Sequence, residues 1–158
     1  MSKTVTIERF NEQIFKETTL IVKLGRYIDS KGHFHDISEK VKKSIAGTET
    51  IHESFSYEKA LSQKLKQKKS YGSKEMDLVF SKIEITEEGT FEAARRMKEN
   101  FTEICVLNFA HGFTPCGDVM KGKEGQEQDL SRQSNLYFCL KDQKMMYDFN
   151  NKCDSKFR

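Results

Sequence analysis

The feature that most constrains this chain is the run Ile104-Cys105-Val106-Leu107-Asn108-Phe109. It is apolar almost without alternation, the pattern of a central strand buried on both faces. The chain leaves it through a glycine-bearing loop, residues 110–125, and enters a helix predicted over residues 126–140, with Leu130, Ser134 and Tyr137 or Phe138 inward. Before the run, residues 77–86 alternate as a strand does, with Val79, Ile83 and Ile85 inward. A helix then starts at Thr90 and carries Phe91, Ala94, Met97 and Phe101 as its buried stripe. Strand, helix, buried strand, loop and helix make an α/β arrangement, with crossovers expected to be right-handed.

The first part of the chain reads differently. Residues 7–24 place Phe10, Ile14, Thr18, Ile21 and Leu24 at spacings of three and four, one face of a helix that Gly25 stops. Residues 26–29 and 33–37 flank the turn Ser30-Lys31-Gly32 as a short hairpin, and Ile37, Val41 and Ile45 mark a short helix closed near Gly47. Residues 56–72 are expected to be helical, then loosely structured. The boundary drawn from these patterns separates a helical accessory region, residues 1–75, from an α/β part, residues 76–158.

Composition narrows the function classes. Leu, Ile, Val and Phe make up 37 of 158 residues, just above the level of about 20% below which a chain cannot bury enough surface to fold. The core is therefore thin. The longest unbroken apolar stretch, Ile104-Cys105-Val106-Leu107, is far short of the ~20 residues that cross a bilayer. MSKTVTIERF carries no apolar leader segment, so a cytoplasmic location is expected. With 27 basic and 24 acidic residues the net charge is only +3, which demands no polyanionic partner. The six lysines from Lys59 to Lys74 read as a solvated face or loop, and Tyr71 is too little aromatic company for nucleic-acid binding.

Cys105, Cys116, Cys139 and Cys153 lack the close pairing of a zinc or dithiol motif and read as reduced thiols. His33 and His35 share a strand face but hold no metal alone, so no metal and no cofactor are expected. Chemistry, if present, lies in the loop after the buried strand, since open α/β sheets bind ligands at the carboxyl ends of their strands. Glycines there let backbone N–H groups approach a diphosphate, and the helix N-terminus at Gln126 adds positive potential.

The residues of that loop are specific. Asn108-Phe109-Ala110, Pro115-Cys116-Gly117-Asp118-Val119, Gly122, Gln126-Glu127-Gln128, Leu130, Arg132, Ser134 and Leu136-Tyr137 follow one another without a gap. The segment resembles the signature of the microbial-type poly(ADP-ribose) glycohydrolases, macrodomain-fold enzymes that release ADP-ribose from ADP-ribosylated protein. Upstream, Glu17-Thr18-Thr19, Gly25-Arg26-Tyr27, Asp36-Ile37, Ala46-Gly47-Thr48 and Glu92-Ala93-Ala94-Arg95-Arg96 fall in the family's order, so the likeness spans roughly residues 10–158. It implies a macrodomain-like three-layer fold with a sheet between helices, preceded by the helical region and shortened at its C-terminal side. It implies ADP-ribose or an ADP-ribosylated protein as partner, and a ligand site of Asn108, Phe109, Gly117, Asp118, Val119 and Gln126. Asn108 would orient the distal ribose, Gly117 the diphosphate, and Glu127 the ribose hydroxyls, with Gln128 at the position of the family's acid.

Three departures from the family pattern bear on activity. Cys116 and Asp118 replace two glycines of a triplet, and added side-chain atoms are expected to obstruct close approach of the backbone or to resist positive φ. Asp118 would also repel a diphosphate by roughly 3–4 kcal/mol at 4–6 Å. Gln128 keeps the size of a glutamate but cannot donate its proton, and such assistance is typically worth about 10²- to 10⁴-fold; Asp129 and Glu124 are the candidate substitutes. Finally, family members continue with further strands and helices, so the expectation is either a fragment of a longer gene or a sheet that a second chain completes. The expectation is a hydrolase fold with weak or absent turnover. The alternatives are a non-catalytic ADP-ribose-binding module and a remnant acting only through protein contacts.

Overall fold

A computed structural model describes residues 6–50 and 83–154, with the side chains of residues 153 and 154 left aside. The chain divides into two compact units, residues 1–49 with 89–158 and residues 50–88. The helix expected at 56–72, the lysine cluster and most of the strand expected at 77–86 lie outside the described residues.

In the larger unit, helix α1 (Ile7–Leu24) begins where the Thr6 hydroxyl accepts the backbone N–H of Arg9 at 3.3 Å and ends at Gly25, whose φ of +66° is open to glycine. Its buried stripe is Asn11, Phe15 and Val22, while Phe10 and Leu24 are exposed. The helix is thus turned by about one residue from the face the apolar spacing marks, because Asn11 Nδ2 donates to the carbonyl of Gly122 at 3.2 Å.

Strands β1 (Arg26–Ile28) and β2 (Phe34–Asp36) pair antiparallel, with Tyr27 opposite His35 and their rings stacked at 4.8 Å. The Asp29 carboxylate closes the turn by accepting the backbone N–H groups of Lys31 and His33, each at 2.9 Å. His33 and His35 also bond to it, at 3.2 and 3.0 Å, so this edge is organised around Asp29 rather than bare. Helix α2 (Ser38–Ala46) starts under the Asp36 carboxylate, which accepts from the backbone N–H and hydroxyl of Ser38.

Helix α3 (Thr90–Met97) half-buries Phe91, Ala94 and Met97, but it stops before Phe101, which is 60% exposed. Residues 83–86 form no strand, and Ile83 and Ile85 are exposed: alternation makes a strand only where a partner pairs with it. The same correction applies to residues 104–109, which form no ladder and leave Leu107 and Phe109 exposed. The sheet among the described residues is the two-stranded β1–β2 hairpin.

After the loop and a 3₁₀ turn (Val119–Lys121), helix α4 (Gln126–Gln133) is separated from α5 (Leu136–Leu140). The break within the expected 126–140 helix has a local cause. Ser134 is extended, its hydroxyl donating to the Leu130 carbonyl at 2.8 Å and accepting the Leu136 N–H at 3.2 Å. Helix α6 (Lys144–Asp154) follows. Among the described residues one core cluster is Phe15, Cys116 and Val119, with Leu136, Tyr137 and Leu140 packed against them and Phe15 edge-on to Tyr137. No helix among the described residues is long and apolar enough to cross a membrane.

Candidate functional site

The site is built on the first turn of α4. Glu127 is only 2% exposed, yet both carboxylate oxygens are used. Oε1 accepts from Asn108 Nδ2 at 3.1 Å and Oε2 from the backbone N–H of His111 at 2.8 Å. Glu127 therefore ties the end of the extended segment to the start of the loop. Gln126 adds a second tie: its Oε1 accepts the Phe109 N–H at 2.9 Å and its Nε2 donates to the Leu107 carbonyl at 2.8 Å. That amide stands where a neighbouring strand would, which satisfies the backbone of residues 107–109 without a ladder.

Gln128 faces the glycines. Its Nε2 lies 2.7 Å from where a side chain on Gly117 would begin, and its Oε1 2.3 Å from the equivalent point on Gly125. Any side chain at either position would displace it, and both glycines have positive φ, +50° and +153°. The Gln128 amide is thus seated across the two glycines on the half-buried face of the loop.

The altered glycine loop folds in a way its sequence does not suggest. Cys116 adopts a φ of +57°, and its side chain is fully buried against Phe15 and Val119. The atoms added by this residue point into the core rather than obstructing the loop's outer surface. Burial pushes its thiol up to about 11, against the pull of a Ser131 hydrogen bond. Asp118 is exposed and paired with Lys121 at 3.0 Å, so its charge does not stand alone. Val119, expected at the ligand, is entirely buried and supports the loop from beneath, while Phe109 is 71% exposed. Asp129, the candidate substitute acid, accepts from Gln133 Nε2 at 2.8 Å and lies 4.0 Å from Arg132.

Sequence reasoning missed the supports. Helix α6 holds the loop through Asn150 Nδ2 on the Gly112 carbonyl at 2.7 Å and Asn151 Nδ2 on that of Phe113 at 3.2 Å. Tyr147, 5% exposed, lies beneath. Burial pushes its phenol up to about 12, with the Glu127 and Cys116 charges adding to the effect. The spacing of Tyr147, Asn150 and Asn151 by three and four is a helix-face signal that could have found them. His111 was also missed: its Nδ1 accepts from the backbone N–H groups of Phe113 and Thr114 and bonds with the Thr114 hydroxyl. Among the described residues no cluster of three or more His, Cys, Asp or Glu could hold a metal ion.

A buried carboxylate at the head of α4 thus organises the glycine-bearing loop that precedes the helix. The microbial-type PARG catalytic domain matches residues 15–158, and the chain belongs to that family. Among solved structures, the poly(ADP-ribose) glycohydrolase of Thermomonospora curvata is similar, with 29% identity and a TM-score of 0.73 over 92% of this chain and 50% of that one. The same enzyme bound to the inhibitor ADP-HPD gives 29% and 0.70, over 90% and 48%. A glutamate-to-alanine mutant of it gives 28% and 0.72, over 92% and 48%. The chain spans about half the length of these structures. A comparison with curated proteins returned no match.

Proposed function

We propose that this chain recognises ADP-ribose on the loop between Asn108 and Gln128, and that it hydrolyses ADP-ribose linkages weakly or not at all. The observation that carries the reading is the pair of adjacent residues at the head of α4. Glu127 is locked inside the loop by Asn108 and His111, and Gln128 lies across Gly117 and Gly125 with an amide in place of an acid. Family membership and the likeness to an enzyme solved with ADP-HPD support the ligand class. Asn108 spends its Nδ2 on Glu127, and its buried Oδ1 has no partner among the described residues; a ribose hydroxyl would satisfy it. Gly117, whose own N–H donates to the Thr114 carbonyl at 3.2 Å, leaves room for the diphosphate to approach, and Gln128 replaces a proton donor by a hydrogen-bond donor.

In this reading α1 supports the loop, its Asn11 donating to the Gly122 carbonyl. The uncovered residues 104–109 belong to a larger three-layer sheet. The protein is then cytoplasmic and a pseudoenzyme.

Titration of the purified chain with ADP-ribose, followed by a poly(ADP-ribose) hydrolysis assay, tests the reading. Micromolar binding with turnover at least about 10²-fold below a Gln128→Glu variant is expected. Turnover unaffected by Gln128→Glu would show that the acid is not what is missing, and absence of binding by the folded chain would end the reading.

A further inference from the structure

Loops that bind phosphates rely on neutral N–H donors as much as on charge, and one such donor in this site has no assigned role. His111 lies at the mouth of the loop, exposed, with its backbone tied to Glu127. Two backbone N–H groups, of Phe113 at 3.3 Å and Thr114 at 3.2 Å, converge on Nδ1, with the Thr114 hydroxyl at 3.1 Å. An atom that accepts from fixed donors carries no proton, so the ring proton resides on Nε2. Phe113 meets the ring edge-on at 5.9 Å and helps to fix its plane.

The imidazole lies beside the loop glycine: His111 Cβ and the ring atom Cδ2, which is bonded directly to Nε2, are each 3.6 Å from where a side chain on Gly117 would begin. Gln128 Nε2 lies 2.7 Å from the same point. A histidine ring and a glutamine amide therefore flank one glycine that offers only backbone between them. Neither nitrogen has a hydrogen-bond partner among the described residues.

We infer that His111 is a ligand-contacting residue: its neutral Nε2–H donates to an oxygen of the diphosphate at Gly117, alongside the Gln128 amide. This rests on the reading of the loop as an ADP-ribose site and deepens it, adding a recognition donor from a residue outside the signature. The imidazole donates a hydrogen bond and transfers no proton.

The test separates contact from scaffolding. In His111→Asn the side-chain oxygen takes over the role of Nδ1, accepting the N–H two residues on as asparagine does in turns, but nothing replaces Nε2–H. Calorimetric titration with ADP-ribose should show this variant binding roughly ten- to hundredfold more weakly than the native chain, with an unchanged melting temperature. In the native chain, the ¹⁵N resonances of His111 should report the Nε2–H tautomer and shift at Nε2 when ADP-ribose is added. Equal affinity of the variant, or an Nε2 resonance that ignores the ligand, overturns the inference while leaving the ADP-ribose reading intact. If His111→Asn fails to fold, the ¹⁵N titration of the native chain decides alone. No binding by the native chain overturns both.

Discussion

Replacing Gly122 by alanine tests the packing that holds the loop in place. Gly122 follows the 3₁₀ turn with a φ of +74°, and a Cβ built there lies 1.8 Å from the Glu8 carbonyl oxygen and 2.5 Å from its carbon. The obstacle is the backbone of the first turn of α1, which cannot swing aside as a side chain can. Left-handed strain on an L residue costs about 1–2 kcal/mol, and forcing packed elements apart typically costs about 1–3 kcal/mol more. The Asn11 bond to the Gly122 carbonyl, worth about 1 kcal/mol, goes with the displacement. The total, about 3–6 kcal/mol, is a large share of the ~5–15 kcal/mol that holds a typical domain folded. Gly32→Ala separates the two causes, because Gly32 has a φ of +83° with nothing within 4 Å and registers strain alone. The chain has no tryptophan, so urea unfolding is best followed by circular dichroism. If Gly122→Ala loses no more stability than Gly32→Ala, the close seating of α1 on the loop is wrong.

Tyr147→Phe should stabilise the protein by about 1 kcal/mol, since the buried hydroxyl has no partner among the described residues and its removal cancels a desolvation penalty; a drop in melting temperature would show that the hydroxyl is satisfied after all. The hairpin should respond to acid. The His35 hydrogen bond, then the His33 N–H, hold the Asp29 carboxyl down to about 2 from an ordinary 3.8. A lowered value means that the folded hairpin prefers the carboxylate, so its stabilisation is complete above pH ~4 and is lost as the pH falls through about 2. Amide resonances of Lys31 and His33 should move with a midpoint near 2, and a midpoint near 4 would refute the arrangement. Alkylation with iodoacetamide at neutral pH should label exposed Cys105 first and leave Cys116, buried and held as the thiol, unlabelled until the protein unfolds; early labelling of Cys116 by peptide mass mapping would contradict its place in the core.

The sequence made local structure legible wherever one element decides its own shape. Residues 7–24 fold as the spacing and Gly25 indicate, and the Ser30-Lys31-Gly32 turn joins two strands as read. It misled where shape depends on a neighbour. Residues 104–109 carry the composition of a buried strand, but a strand exists only through its ladder, and here a glutamine side chain takes that place. The rotation of α1 was hidden for the same reason: Asn11, a polar residue, is buried because a carbonyl 111 residues away accepts from it. Of the residues the loop signature marks, Asn108, Gly117, Gln126, Glu127 and Gln128 lie together in the structure, and Val119 lies in the core. His111 and α6 escaped because their roles run through backbone groups, which no residue pattern displays.

Glu127 and Gln128 show why a loop of this kind can keep its shape while its chemistry changes. Glu127 is part of the fold: removing its carboxylate would leave the part-buried Asn108 Nδ2 and His111 N–H each without its acceptor, at about 1–3 kcal/mol for each unsatisfied group. Gln128 makes no comparable tie among the described residues. It needs only the room that Gly117 and Gly125 leave, and glutamine fills that room as glutamate would. Exchange of glutamate for glutamine at position 128 is therefore nearly free of structural cost, whereas loss of Glu127 is not. A Gln128→Glu variant should accordingly match the native chain in stability to within about 0.5 kcal/mol while differing from it in hydrolysis. Equal stability without a gain in turnover would place the defect in the rest of the cleft. A large loss of stability would mean that the amide, and not just its volume, holds the loop together.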